Sequence, residues 1–126
     1  QHNYYYAQKH LNFKTGLSRS QGTFTSYTSL DDKLDELYYF MQYIKFGFGR
    51  ATSEASIDVR DGFISRKEAV NLVKLYDGEF PDQDLNEVLD YMNIGKKEFF
   101  KIVDKFRSKK LWSKTGKKWK LKHIVY

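Results

Sequence analysis

Residues 43–66 read YIKFGFGRATSEASIDVRDGFISR, and this stretch decides how the chain folds. Its pattern ends one amphipathic helix, turns at Gly47 and Gly49, and opens two further helices, because glycine supplies the conformations that helix ends and tight turns need. Four cations accompany these turns: Lys45, Arg50, Arg60 and Arg66. The sequence therefore predicts a helical corner that carries positive charge.

This positive corner is a predicted anion-binding site. Thr52 and Ser53 are favourable N-cap residues, and a helix that began there would direct free backbone N–H groups toward the same space as Arg50. Guanidinium groups and helix N-termini both bind carboxylates and phosphates. The competing interpretation is that the glycines only end helices and that the cations are solvated. The predicted substrate- or phosphate-binding residues are Lys45, Gly47, Gly49, Arg50, Thr52, Arg60 and Arg66.

The composition predicts one globular domain. The chain has 126 residues, of which 40% are hydrophobic and 17% aromatic, and these can form one modest core. It contains no cysteine and three scattered histidines, which argues against a disulfide framework, thiolate chemistry and a metal site. No apolar run approaches the roughly 20 residues that cross a bilayer, so a cytoplasmic protein is expected. Because the chain opens at Gln1 without methionine, we expect it to be part of a longer protein.

Positive charge is concentrated at the C-terminal end. Residues 96–126 contain twelve Lys or Arg against two carboxylates, which leaves ten basic against fourteen acidic residues before them. Such a region can dock on an acidic protein partner or on nucleic acid, and it can also be a solvated face. Nucleic acid is the less favoured partner, because the lysines are spread through helix and hairpin patterns and arginine is scarce. A non-catalytic binding module is therefore an alternative function for the chain.

The predicted fold is mainly α, with about five helices and a C-terminal β-hairpin. Between residues 30 and 107 apolar residues recur at helical spacing, and helix starts are marked by cap residues. After residue 110 the period changes to two, and Trp112 and Trp119 alternate with lysines, as in a hairpin that packs its tryptophans on the helices or on a part of the protein outside this chain. The expected N-cap residues are Ser29, Thr52 or Ser53, Ser65 and Asp82.

Two segments are expected along the chain. Residues 1–29 are polar and rich in Ser, Thr and Gly, and we interpret them as a linker or loop from a preceding N-terminal domain. Residues 30–126 form the helical domain with its terminal hairpin. We expect its apolar side chains to share a single core, formed by Leu34, Leu37, Met41, Leu72, Val73, Leu89, Phe99, Val103 and Phe106.

Several motifs together resemble the C-terminal part of the bacterial N-acetyl sugar amidotransferases. They are Asp31-Asp32-Lys33, residues 43–52, Val59-Arg60-Asp61-Gly62, Ile64-Ser65-Arg66-Lys67-Glu68-Ala69 and Tyr76-Asp77-Gly78-Glu79-Phe80-Pro81. The resemblance covers nearly the whole chain. It implies the helical C-terminal domain of a larger α/β enzyme similar to ATP pyrophosphatases of the PP-loop type.

The resemblance also implies an activity in lipopolysaccharide O-antigen or flagellin glycan biosynthesis. Family members are understood to convert an acetamido group of a nucleotide-activated N-acetyl sugar into an acetamidino group. This implies ATP and Mg²⁺ as cofactors of the full-length enzyme, and ammonia from partner subunits that resemble a glutaminase and a cyclase. The family's phosphate loop, Ser-Gly-Gly-Lys-Asp-Ser, does not occur in these 126 residues. We therefore expect no catalytic residue and no bound cofactor in the isolated chain.

Overall fold

A computed structural model describes residues 2–124 and confirms a mainly helical fold that ends in a hairpin. Its helices are α1 (His2–Leu11), α2 (Leu34–Phe46), α3 (Arg50–Arg60), α4 (Arg66–Tyr76), α5 (Leu85–Tyr91) and α6 (Lys96–Phe106); its strands are β1 (Trp112–Thr115) and β2 (Lys118–Leu121). Helices α2 to α6 are the five that the sequence predicts. No helix within residues 2–124 has both the length and the apolar character that a membrane crossing requires.

The predicted start of α4 is confirmed by its capping box. The Ser65 hydroxyl accepts a hydrogen bond from the Glu68 backbone N–H, and a Glu68 carboxylate oxygen accepts one from the Ser65 N–H at 2.8 Å. This reciprocal pair satisfies two N–H groups that the first turn of a helix would otherwise leave unpaired. The start of α4, and with it the position of Arg66, is therefore well determined.

Three other predicted helix starts are wrong, because the expected cap residues bond elsewhere. Helix α2 begins at Leu34, since the Ser29 hydroxyl donates to Asp35 at 2.7 Å and its backbone has a φ of 57°. Helix α5 begins at Leu85, since Asp82 accepts a hydrogen bond from the Gln21 side chain. Helix α3 begins at Arg50, with Gly49 as N-cap in place of Thr52 or Ser53.

The prediction of a single core is also wrong, because the buried residues form two clusters. The first joins α2, α5, α6 and the hairpin, and its buried members are Phe40, Ile44, Leu85, Leu89, Phe99, Val103, Trp112 and Leu121. The second lies between α3 and α4 and contains Ala55, Ala69 and Val73. Small side chains let α3 and α4 pack closely on each other, which separates Val73 from the first cluster. Leu34 and Phe106, which were predicted in the core, are 38% and 45% exposed.

The hairpin closes the first cluster. Its two strands pair antiparallel, with Trp112 opposite Leu121 and Lys114 opposite Trp119. The indole N–H of Trp112 donates to the Ile44 carbonyl at 2.7 Å, and that of Trp119 donates to a carboxylate oxygen of α6 at 2.9 Å. Packing of the tryptophans on the helices is thus confirmed.

Residues before α2 contact one another and the segment that follows α4. In α1, which has no buried residue, the Tyr4 ring stacks on Tyr27 with 4.3 Å between centroids. The Arg19 guanidinium forms two hydrogen bonds of 2.6 Å with Glu79, just beyond α4. The interpretation of residues 1–29 as a linker from a preceding domain stays a prediction.

Candidate functional site

The two glycines of the predicted corner have structural reasons to be glycine. Gly47 caps α2 at a φ of 80°, in the left-handed region, and its N–H donates to the Tyr43 carbonyl at 2.8 Å. Gly49 adopts an extended conformation that any residue can reach, but a Cβ there would lie only 2.8 Å from an Asp77 carboxylate oxygen. The glycine pair therefore lets the chain leave α2 and pass close beneath Asp77.

Asp77 caps the N-terminus of α3 from a distant part of the sequence. One of its carboxylate oxygens accepts hydrogen bonds from the Gly49 N–H at 2.9 Å and the Thr52 hydroxyl at 2.6 Å. The other accepts from the Thr52 N–H at 3.0 Å. The contact also shows that the C-terminal end of α4 meets the N-terminal end of α3, so the two helices run antiparallel.

This cap corrects the predicted geometry of the anion site. The expectation of free N–H groups is wrong for Gly49 and Thr52, because an internal carboxylate already binds both. Sequence reasoning missed Asp77 as a cap, although the residue lies in one of the motifs that carry the family resemblance. Its neighbour Gly78 was a usable signal: Gly78 has a φ of 75°, and a Cβ there would lie 2.3 Å from the Tyr43 ring. Only glycine lets the chain turn at that point.

Arg50 belongs to a polar network on one side of α3. Its Nε donates to the Glu54 carboxylate at 2.9 Å, and its guanidinium carbon lies 5.6 Å from the centre of the Tyr39 ring. The hydroxyls of Thr23 and Thr28 donate to the same carboxylate. Burial disfavours the charge of Arg50, but its hydrogen bond with Glu54 and the Glu54 charge outweigh burial and raise the Arg50 pKa. The Glu54 carboxylate thus holds the preceding loop on α3, and Arg50 forms an ion pair with that carboxylate.

A cleft of about 320 Å³ lies between α3 and α4, on the side of α3 away from Arg50. Two of its lining residues, Thr52 and Arg66, are predicted site residues. Arg66 is exposed at the first position of α4 and makes no hydrogen bond or ion pair with any residue in the range 2–124. The full lining is Thr52, Ala55, Ser56, Val59, Arg66, Ala69, Val70 and Val73.

The two remaining predicted cations lie outside this cleft. Lys45 is exposed at the end of α2, with its ammonium 5.3 Å from the centre of the neighbouring Phe46 ring. Arg60 ends α3 with a side chain that is 73% exposed, and its Nε donates to Asp61 at 3.3 Å. The structure thus brings Thr52 and Arg66 to one cleft, whereas Arg50 lines a different one and Lys45 and Arg60 line neither.

Comparison with known protein families assigns the chain to one of them. Residues 21–125 match the family described as LPS biosynthesis protein WbpG-like, C-terminal domain. The chain belongs to this family. A search of curated proteins finds no match.

The match of this WbpG-like domain begins within the loop that Arg19 anchors. The Gly22 N–H donates to Glu79 at 2.9 Å, and the Gln21 N–H donates to Glu36 at 2.8 Å. Burial raises the pKa of Glu79, but its hydrogen bonds with Arg19 and Gly22 outweigh burial and leave the pKa below its ordinary value. This ion pair was not predicted, although Glu79 lies in the same motif as Asp77.

The titratable groups of the WbpG-like domain do not gather into a metal centre within residues 2–124. No group of three or more carboxylates or histidines in that range lies close enough to hold a metal ion. The chemistry that the described residues can supply at the α3–α4 cleft is cationic binding by Arg66 and hydrogen bonding by Thr52 and Ser56.

Proposed function

We propose that the chain is the C-terminal domain of an ATP-dependent N-acetyl sugar amidotransferase that acts in lipopolysaccharide or flagellin glycan biosynthesis. The family match to an LPS biosynthesis domain and the motifs of the sequence support this proposal. In the full-length cytoplasmic enzyme, ATP with Mg²⁺ would transfer a phosphate-containing group to the acetamido oxygen of a nucleotide-activated N-acetyl sugar, and the rest of ATP would be released. Ammonia from a glutaminase- and cyclase-like partner then adds to the same carbon, and the activated oxygen leaves with a phosphate-containing fragment of ATP. The product carries an acetamidino group.

The unpaired Arg66 is the observation that carries a substrate-binding role for this domain. A cation in the first turn of a helix is disfavoured by the helix dipole, at a cost of about 0.3–1 kcal/mol. Within the described residues Arg66 has no carboxylate partner that offsets this cost. A guanidinium at the mouth of a cleft is well suited to bind a phosphate in a bidentate manner. We therefore assign Arg66 a binding role and assign no catalytic residue to the chain.

Arg50, one of the predicted binding residues, has a structural role in this proposal. Its ion pair with Glu54 and the threonine hydrogen bonds to that carboxylate account for its position without a ligand. The same holds for Gly47 and Gly49, which form the corner. Lys45 and Arg60 remain exposed cations that a ligand bound across several domains can reach.

The test is amidination of a nucleotide-linked N-acetyl sugar by the full-length enzyme with its ammonia-supplying partner. Arg66→Ala should lower kcat/KM about 10- to 100-fold, because a charge-assisted contact contributes about 1.5–3 kcal/mol. Lys67→Ala is the matched control, since Lys67 is an exposed cation in the same helical turn but does not line the cleft. Equal kinetics for the two variants would contradict the role of Arg66, and absence of amidination by the wild-type complex would contradict the proposed activity.

A second candidate function is docking on an acidic protein, and the hairpin favours it. Lys118 and Lys120 alternate along β2, opposite the face that bears the tryptophans, and are exposed. Neither ammonium has an acidic partner within residues 2–124. The double substitution Lys118→Glu and Lys120→Glu should weaken such docking, which is measured as the affinity of the full-length protein for its ammonia-supplying partner at low and high salt. An unchanged affinity would exclude this role.

A further inference from the structure

The lining of the α3–α4 cleft limits which part of a ligand it can hold. None of its eight lining residues is aromatic, so the cleft offers no ring for a nucleobase to stack on. None carries a carboxylate, so the cleft lacks the acidic side chain that typically binds ribose hydroxyls and the carboxylate ligand that Mg²⁺ prefers. Its volume of about 320 Å³ is at the lower end for small-molecule sites and suits a fragment better than a whole nucleotide sugar.

The charged group of the cleft lies at one end, and its two hydroxyls lie along α3. Because α3 and α4 run antiparallel, Arg66 at the start of α4 lies near Val59, and Thr52 lies near the end of α4. Seven residues separate Thr52 from Val59, which corresponds to about 10 Å along the axis of α3. A ligand that fills the cleft therefore places its anionic group near Arg66 and its hydrogen-bonding groups along α3, toward Thr52.

The Thr52 hydroxyl favours a ligand that donates a hydrogen bond. Thr52 donates its hydroxyl proton to Asp77, so toward the cleft its oxygen can only accept. Ser56, one turn further along the same side of α3, can donate or accept. The remaining wall is formed by alanine and valine side chains, which match a small apolar group such as a methyl. Together these features correspond to a sugar that carries hydroxyl, amide N–H and acetyl groups.

Building on the proposed function, we propose that the α3–α4 cleft binds the phosphorylated N-acetyl sugar end of the substrate and leaves the nucleoside outside. The phosphate next to the sugar binds Arg66. The acetyl methyl packs between the alanines and valines, and Thr52 accepts a hydrogen bond from the ligand. The domain thus selects the sugar, whereas binding of the nucleoside and of ATP takes place elsewhere in the enzyme.

The test measures binding to the 126-residue chain by isothermal titration and by NMR shift perturbation. The probes are N-acetylglucosamine 1-phosphate, glucose 1-phosphate, N-acetylglucosamine and UMP. We expect N-acetylglucosamine 1-phosphate to bind at least about tenfold more tightly than N-acetylglucosamine or UMP, because only it satisfies both ends of the cleft. It should bind at least about fourfold more tightly than glucose 1-phosphate, which has a hydroxyl in place of the acetamido group and therefore lacks the methyl. Arg66→Gln should remove the advantage of the phosphate, and Lys67→Gln should not.

A filling substitution gives an independent check. Ser56 is exposed, so Ser56→Leu is expected to leave the fold intact while its side chain occupies the cleft and abolishes binding. UMP binding as tightly as the sugar phosphate, no binding of any probe, or equal loss in the Arg66→Gln and Lys67→Gln variants would overturn the inference. None of these results bears on the proposed activity. Amidination is measured on the full-length enzyme, whereas the preference for a ligand is measured on this domain alone.

Discussion

Replacing Asp77 by alanine should destabilise the corner that joins α2, α3 and α4. The substitution removes the acceptor of three hydrogen bonds at the N-terminus of α3, two from backbone N–H groups and one from the Thr52 hydroxyl. Because these groups are only partly exposed, solvent replaces the lost acceptor incompletely. The free energy of unfolding should therefore fall more than after removal of a solvent-exposed N-cap.

The expected size of the effect follows from these three contacts. Loss of an N-cap side chain costs about 0.5–2 kcal/mol, and hydrogen bonds to a charged group contribute about 1.5–3 kcal/mol. The contacts share one carboxylate and are not additive, so we expect a loss of about 2–4 kcal/mol. For a domain of this size, such a loss lowers Tm by roughly 8–16 °C. Asp77→Asn retains one acceptor oxygen but lacks the charge, and it should lose about half as much.

The assay is urea unfolding followed by far-UV circular dichroism. Asp90→Ala is the control, because Asp90 is exposed on α5 and its side chain makes no hydrogen bond or ion pair with the described residues. It should change stability by less than about 0.5 kcal/mol. If Asp77→Ala were no more destabilising than this control, Asp77 would not cap α3, and the N–H groups of Gly49 and Thr52 would again be available to a ligand.

Four further predictions concern strain, pH and turnover. Gly78→Ala should lower the free energy of unfolding by about 2–4 kcal/mol, because the added Cβ would lie 2.3 Å from the Tyr43 ring. Gly62→Ala, at a similar φ but in open space, should lower it by about 1–2 kcal/mol. Equal losses of stability in thermal unfolding would contradict this difference. The pKa of Glu79 is lowered in the folded state, so Glu79 stabilises the fold at pH values above the pKa of an unfolded glutamate. This stabilisation is lost as the pH falls through the pKa of Glu79 in the folded protein. Glu79→Gln should therefore make the free energy of urea unfolding less dependent on pH in the acid range. Burial raises the pKa of Glu36, so Glu36 stabilises the fold at low pH, and this stabilisation is lost as the pH rises through its pKa in the folded protein. Glu36→Gln should therefore be as stable as the wild type at pH 7 or more stable. Marked destabilisation of the variant at pH 7 would refute this prediction. The isolated chain should neither hydrolyse ATP nor transfer nitrogen, and reproducible turnover by the purified chain would refute that expectation.

Local sequence signals predicted the helices well and their contacts less well. The capping box at Ser65 was predicted correctly because both partners lie within four residues. The start of α3 was not, because its cap, Asp77, lies 28 residues after Gly49. N-cap propensity describes what a residue does when no other partner competes for it, and Ser29 and Asp82 both had other partners. The two clusters were mistaken for one core because helical periodicity shows that a face is buried but not which helix covers it.

The candidate site shows the same limit. Arg50 and Thr52 are close in sequence and were therefore predicted to share one site. Positions two apart on a helix are related by a rotation of about 200° around its axis, so these side chains lie on nearly opposite sides of α3 and line different clefts. Arg66 joins Thr52 only because α4 returns antiparallel along α3. A sequence pattern can thus identify cations as candidates for anion binding. Whether each cation forms an ion pair within the protein or stays available to a ligand depends on where the carboxylates lie in the fold.

The motifs that carry the resemblance therefore contain residues that fix the corner and residues that line the cleft, and the two sets depend on each other. Gly49, Asp77 and Gly78 fix the corner, and through Asp77 they also fix the Thr52 hydroxyl as an acceptor toward the cleft. Loss of Asp77 should then affect ligand binding in two ways, by unfolding the corner and by freeing the Thr52 proton. Thr52→Val separates these effects, because it removes the hydroxyl while the Thr52 N–H and Gly49 N–H bonds to Asp77 remain. If the cleft binds a donor group of the sugar, Thr52→Val should weaken sugar-phosphate binding several-fold while costing less stability than Asp77→Ala, because only one of the three hydrogen bonds is lost. Unchanged affinity in a stable variant would show that Thr52 belongs to the scaffold alone.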